Sequence, residues 1–187
     1  MSYLSLLGRG HSADTGDTAL TASLLSGAVL AAVIGAIVSV TLAAYRSYLE
    51  DRARVRDQLA SAMRAVNDYK ELPYAIRRRR ADQPEAERIR LSESMRATQS
   101  QLSYFEAWTA AESKRLGEQY GVLVTTLRSV AGAACRDAWL SAAPKKDSDM
   151  NIAPDLLDLR EVTSAERLFA TEINRHLHWM WLPWKRR

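Results

Sequence analysis

Four consecutive arginines, Arg77, Arg78, Arg79 and Arg80, form the longest basic run in the sequence. Adjacent guanidinium groups attract phosphates, so such a run can meet nucleic acid, anionic lipid or an acidic protein surface. The plain meaning of a short charge run is a solvated loop, and that reading ranks first. Tyr74 is the one aromatic residue close by, which leaves bases little to stack on and ranks nucleic acid as the weaker anionic partner.

A second cluster is the segment HWMWLPWKRR, in which Trp179, Trp181 and Trp184 precede Lys185, Arg186 and Arg187. Indole rings favour the headgroup level of a bilayer and basic residues meet anionic lipid, so these six residues read as a membrane-interface anchor. The alternative is that Trp181 packs into a helical bundle and the others cover its end. His176 and His178 lie two positions apart, about 200° around a helix, and cannot share a metal ion. The sequence holds no HExxH, CxxC, GxxxxGK[ST], GxGxxG or GxSxG motif, and the lone Cys135 fits a small buried apolar position better than a reactive thiol. These absences predict no enzyme, no catalytic residue, no cofactor, no metal and no small-molecule substrate.

The elements that must position these groups begin with an apolar run. No charged residue lies between Asp17 and Arg46, and Ala19 to Ala44 reads ALTASLLSGAVLAAVIGAIVSVTLAA. Those 26 residues would reach about 39 Å as a helix, enough to cross a hydrocarbon core of about 30 Å with tilt. A signal peptide has a shorter apolar region after a positive segment, whereas here Asp14 and Asp17 precede a long run with no clean A-x-A site. A buried soluble helix fails because nothing else in the sequence could cover so apolar a cylinder.

Arg9 stands alone before the run, while Arg46, Arg52, Arg54, Arg56 and Arg64 follow it, so the N-terminal segment is expected outside and the C-terminal domain in the cytoplasm. A single cysteine agrees with a reducing compartment. Arginine outnumbers lysine 21 to 5, a bias of GC-rich bacterial genomes that points to a bacterial plasma membrane. Beyond the run, 25 basic residues face 20 acidic ones, a mildly basic balance.

Within the run, Ser23, Gly27, Ala31, Gly35, Ser39 and Ala43 recur every fourth position. Small residues at that spacing let two membrane helices approach closely, and the drift of about 40° per step confines contact to a few rungs, with Gly27, Ala31, Gly35 and Ser39 the span-association candidates. An alanine-rich genome producing alanine-rich spans is the bland alternative.

After the run, Val55, Leu59, Ala62, Val66 and Tyr69 alternate at four and three, the rhythm of a helix packed lengthwise on another. The rod is expected to end at Leu72 because Pro73 lacks an N–H, with residues 73–83 as the first connection. An upright rod would hold the arginine run about 40 Å from the bilayer, several Debye lengths of about 8 Å away. Pro84 suits a first helical turn, with Glu85 and Glu87 near the positive helix end. A helical stretch follows to Ala142, its face given by Met95, Leu102, Phe105 and Trp108, then Leu116, Tyr120, Leu123, Leu127, Val130 and Ala134. A break is expected between Lys114 and Gly121, where Gly117 and Gly121 weaken the helix. Residues 143–162, with Pro144, Lys145, Lys146 and Pro154, read as a polar linker. Thr163 and Glu166 form a capping box opening a last helix whose apolar face is Leu168, Phe169, Ile173, Leu177 and Trp181.

The expected organisation is a short N-terminal segment (1–18), a transmembrane helix (19–45), a helical hairpin or bundle (46–142), a linker (143–162) and a C-terminal helix with its Trp-rich basic tail (163–187). The fold class is all-α: a single N-terminal transmembrane helix continuing into a cytoplasmic hairpin or bundle of long, coiled-coil-like helices. The expected function is a non-enzymatic interaction or scaffold protein, partnered by the lipid bilayer and by a second copy or another helical protein. A membrane-tethered nucleic-acid binder using Arg77 to Arg80, and a membrane-perturbing effector, are the alternatives.

Overall fold

The computed structural model describes residues 15–152 and 157–179. Among these, four α-helices account for nearly all of the chain: α1 (Thr15–Arg77), α2 (Pro84–Glu112), α3 (Lys114–Leu140) and α4 (Arg160–Trp179), with a short 3₁₀ turn at Asp147–Met150. The fold is all-α, and no strand occurs among the described residues. Two compact units divide between Asp51 and Arg52, so α1 contributes its first part to one and its last part to the other.

In the first unit, α1 carries no charged residue from Val29 to Tyr45. Every side chain from Val29 to Ser47 is exposed, and the helix from Val29 onward holds a stretch of mean hydropathy 1.9 with none of it buried. That length and composition suffice to cross a membrane. The polar Thr41 hydroxyl donates to the Ile37 carbonyl at 2.7 Å, so it is satisfied within the helix.

The second unit is an up-down-up-down four-helix bundle. The Tyr120 hydroxyl donates to the Ala62 carbonyl at 3.3 Å and Arg79 reaches the Ala138 carbonyl, so α1 and α3 rise together. Ala110 lies beside Gly117, and Glu106 beside Gly121 and Arg128, which makes α2 antiparallel to α3. Tyr120 packs on Phe169 with ring centroids 5.1 Å apart, and His176 meets Glu112, so α4 runs down again. One continuous core joins Leu59, Val66, Leu91, Leu102, Leu116, Tyr120, Leu127 and Phe169, each under 3 % exposed.

Local sequence explains the elements. Along α1 the buried positions Val55, Leu59, Ala62, Val66 and Tyr69 keep the expected spacing, then continue through Pro73 and Ile76. Pro73 therefore does not end the helix at Leu72. Its ring occupies the next seam position, and packing outweighs the lost N–H bond to Tyr69, a cost of about 3 kcal/mol in an unpacked helix. The helix stops one turn later, where Arg78 and Arg79 close tight bonds to Tyr74 and Ile76. Pro84 opens α2 as expected, with Glu85 and Glu87 in its first turn.

The break between α2 and α3 is a single residue. Ser113 adopts an extended backbone (φ −159°, ψ 132°), ending α2 and starting α3, just ahead of the expected Lys114 to Gly121 window. Gly117 and Gly121 lie inside α3, and Gly117 serves a different purpose from helix weakening: a Cβ there would sit 2.6 Å from the Ala110 Cα. It lets the two backbones pass at close range.

Helix α4 begins at Arg160 rather than at Thr163, whose N–H already donates to the Leu159 carbonyl. The expected capping box is absent because Asp158 accepts from the Arg160 N–H, and Glu166 pairs with Lys70 at 2.6 Å. Leu168 is 56 % exposed; Val162, Ala165, Phe169 and Leu177 carry the buried face, with Ile173 packed against it. In α2, buried Thr98 and Thr109 fill core positions by donating to carbonyls one turn back, which hid them from an apolar pattern.

Candidate functional site

The arginine run does not present four equivalent cations. Arg77 is the last residue of α1, half-buried, and its Nε lacks a hydrogen-bond partner. Arg78 is exposed and its Nε reaches the Met150 carbonyl at 3.4 Å. Arg79 turns onto the end of α3, donating to the carbonyls of Ile76 and Ala138 at 3.0 and 2.9 Å and to that of Ser141. Its guanidinium lies over the Trp139 ring, 5.5 Å from the centroid. The last carbonyls of a helix carry partial negative charge, so Arg79 acts as a cap for α3.

Arg80 is committed to Asp82 through two bonds at 3.1 and 2.8 Å, which hold the Asp82 carboxyl below its ordinary range. Its backbone N–H points to Glu87 at 3.4 Å, and Glu87 in turn accepts hydrogen bonds from Nε and Nη2 of Arg90, each at 2.9 Å. The run thus divides into structural members, Arg79 and Arg80, and a more available one, Arg78.

The fold brings a second basic pair to this corner. Arg78, Arg79 and Arg80 share a cleft of about 580 Å³ with Pro144, Lys145, Lys146, Asp147 and Met150. Lys145 and Lys146 read as linker residues in the sequence; their separation from Arg78 by 67 and 68 residues hid the meeting, and only the end of α3 returning beside the end of α1 creates it.

Elsewhere the candidates stand apart. On α1, Ala31, Gly35 and Ser39 are exposed, and a Cβ at Gly35 would meet nothing within 4 Å. Gly27 lies within the same helix, its surroundings outside the described residues. Trp179 is the last residue of α4; its side chain, and all of Trp181, Trp184, Lys185, Arg186 and Arg187, lie outside the described residues.

His176 and His178 diverge as their spacing requires. His178 is exposed, while half-buried His176 holds Glu112 at 2.9 Å, tying α4 to the end of α2. Among the described residues no group of three His, Cys, Asp or Glu side chains could hold a metal ion. Cys135 is buried, and burial pushes its thiol up to about 11, the opposite of an activated nucleophile. Burial likewise raises Tyr120, whose hydroxyl spends its proton on Ala62.

These features define an all-α protein that combines one helix long and apolar enough to span a membrane with a four-helix bundle. Beyond that class, no known family matches the chain, and no curated protein or solved structure is detectably similar to it.

Proposed function

We propose that this is a single-pass protein of a bacterial plasma membrane, with the segment before the span outside, the helical bundle in the cytoplasm, and a non-enzymatic role as an interaction or scaffold module. The observation that carries the reading is the exposure of α1 from Val29 to Leu42, where large apolar side chains are 48–69 % exposed while the bundle completes its own core. So large an unbroken apolar surface needs an apolar environment, and lipid supplies it on every side. The arginine bias on the bundle side supports the orientation. The partners are the bilayer and a second copy or another helical protein, met along the span's small-residue face.

Three measurements test this. Alkaline extraction should leave the protein with the membranes, and external protease should spare the bundle in intact cells while cleaving it in permeabilised ones. Release by alkali would remove the tether, and cleavage in intact cells would reverse the orientation. Purification in mild detergent should then retain a self-oligomer or protein partner at high salt. Nucleic acid co-purifying only at low salt would move the reading to a tethered nucleic-acid binder.

A further inference from the structure

We propose that the cleft between the α1–α2 loop and the chain following α3 binds a small anion carrying two or more phosphate groups, held by Arg78, Lys145 and Lys146. This does not depend on the membrane reading.

Charge accounting separates these three from their neighbours. Arg80 is neutralised by Asp82, and Arg79 is spent on carbonyls that carry no full charge. Arg78 uses only Nε, on Met150, which leaves both terminal nitrogens for a ligand. Among the described residues neither Arg78, Lys145 nor Lys146 forms an ion pair. Of the carboxylates beside them, Asp149 is turned to the backbone N–H groups of Lys145 and Lys146, at 3.2 Å each, and Asp82 faces Arg80. Asp147 inside the cleft and Asp149 at its edge keep their charges, so with Asp82 three carboxylates face the five cations Arg78, Arg79, Arg80, Lys145 and Lys146, a net of +2. Like charges gathered this way repel one another, and an anion carrying more than one charge relieves it.

The frame is tied, not slack. Arg78 bridges to Met150, Asp149 caps the turn that displays the lysines, and Arg79 fastens the α1 end to the α3 end. Cations presented on a fixed frame lose less freedom on binding. A volume of about 580 Å³ lies within the usual range of roughly 300–1,000 Å³ for small-molecule sites. The apolar lining is limited to groups such as Pro144 and Met150, with no aromatic ring to stack a base, so the cleft reads phosphate rather than nucleobase. Arginine's planar fork and two lysine ammonium groups suit phosphate oxygens.

The phosphates can belong to a free oligophosphate or to a doubly phosphorylated lipid headgroup, and both sources enter the test. Full-length protein in mild detergent is titrated with inorganic triphosphate by calorimetry, beside a variant with Arg78→Ala, Lys145→Ala and Lys146→Ala. A second variant, Lys145→Glu with Lys146→Glu, keeps the Arg78 tether. Lys114→Glu, at a lysine 89 % exposed and remote from the cleft, controls for net charge. Both cleft variants lose charge-assisted bonds to the anion and should weaken binding at least about tenfold, with Lys114→Glu unchanged and all thermal midpoints preserved. Repetition with the protein in phosphatidylcholine nanodiscs and separate vesicles with or without cardiolipin added, so that reach from the protein's own bilayer does not limit contact, separates the sources: vesicles that compete with triphosphate mark a headgroup, and indifference marks a free ligand. Three results overturn the proposal: no triphosphate binding by the parent protein, equal binding by the cleft variants, or an RNA oligomer held through many charges far more tightly than triphosphate.

Discussion

Apart from half-buried Tyr48, the large apolar side chains of α1 from Val29 to Leu49 are 43–69 % exposed, whereas from Val55 to Ile76 the core residues of the same helix are at most 7 % exposed. The residue types overlap: valine, leucine, isoleucine, alanine and tyrosine serve both stretches. What differs is spacing. In the first stretch apolar residues cover the whole circumference, interrupted by small or self-satisfied groups such as Gly35, Ser39 and Thr41. In the second they fall at intervals of four and three, with charged residues between. A continuous apolar surface is stable only in an apolar surrounding, while a stripe needs a partner helix. One helix therefore carries the signatures of two different solvents.

The largest effects come from placing a charge in each stretch. Leu59→Lys buries an unpaired ammonium at a position 2 % exposed and should cost about 4 kcal/mol or more, abolishing cooperative unfolding of the bundle. Ile34→Lys should cost about 3 kcal/mol of membrane insertion and leave the bundle's thermal midpoint where it was. Circular dichroism and membrane fractionation of both variants separate the two. A lowered bundle midpoint for Ile34→Lys would mean that the first stretch packs on protein, and the contrast would collapse.

The glycines repeat the contrast at smaller scale. At Gly117 a methyl would press on the Ala110 backbone, so Gly117→Ala should destabilise the bundle by about 2–3 kcal/mol in chemical unfolding. Gly35 has open space around it, and Gly35→Ala should leave that unfolding curve unmoved. If the span self-associates, Gly27→Ile with Gly35→Ile should weaken a reporter of span dimerisation.

Charged groups obey the same rule of surroundings. Lys70 and Glu166 meet at 2.6 Å across α1 and α4 with each side chain 18 % exposed, so Glu166→Ala strands a half-buried ammonium and should cost about 1–2 kcal/mol. A double-mutant cycle with Lys70→Ala should recover part of that loss. Full additivity would show that the pair contributes nothing as a pair.

Much of this architecture is legible in the sequence because its signals are periodic. The apolar run, the seam from Val55 to Tyr69, Pro84 as a first-turn residue and the buried Cys135 all follow from local composition and spacing. What escaped is what depends on distant residues. Pro73 continues its helix because the seam rewards its ring, a fact local propensity cannot contain. Gly117 is needed for the approach of Ala110, which exists only once α2 folds back. The capping box at Thr163 failed because Glu166 had a better partner 96 residues earlier in Lys70. The basic cleft escaped for the same reason: Arg77 to Arg80 are visible as a run, but their division into structural and available members, and the arrival of Lys145 and Lys146, belong to the packed bundle.

The smallest effect tests the exposed end of the scale, at the start of α4. The Asp158 carboxylate accepts from the Arg160 guanidinium at 2.5 and 2.9 Å and from the Arg160 N–H at 3.1 Å, and these bonds, the guanidinium first, hold its carboxyl down to about 2 from an ordinary 3.8. Because the folded value lies below the unfolded one, the ionised group favours the folded state above about pH 4, and the contribution is lost as pH falls toward 2. Both side chains are well exposed, so water and salt screen the pair and the effect on stability is slight beside that of Lys70 and Glu166. An NMR titration should place the Asp158 midpoint near 2, and Asp158→Asn should narrow its small stability deficit as pH drops through that window. A midpoint near the ordinary value would show that the contact with Arg160 is not held in solution, and that in this protein charge pairs, like apolar side chains, keep their geometry only where the bundle surrounds them.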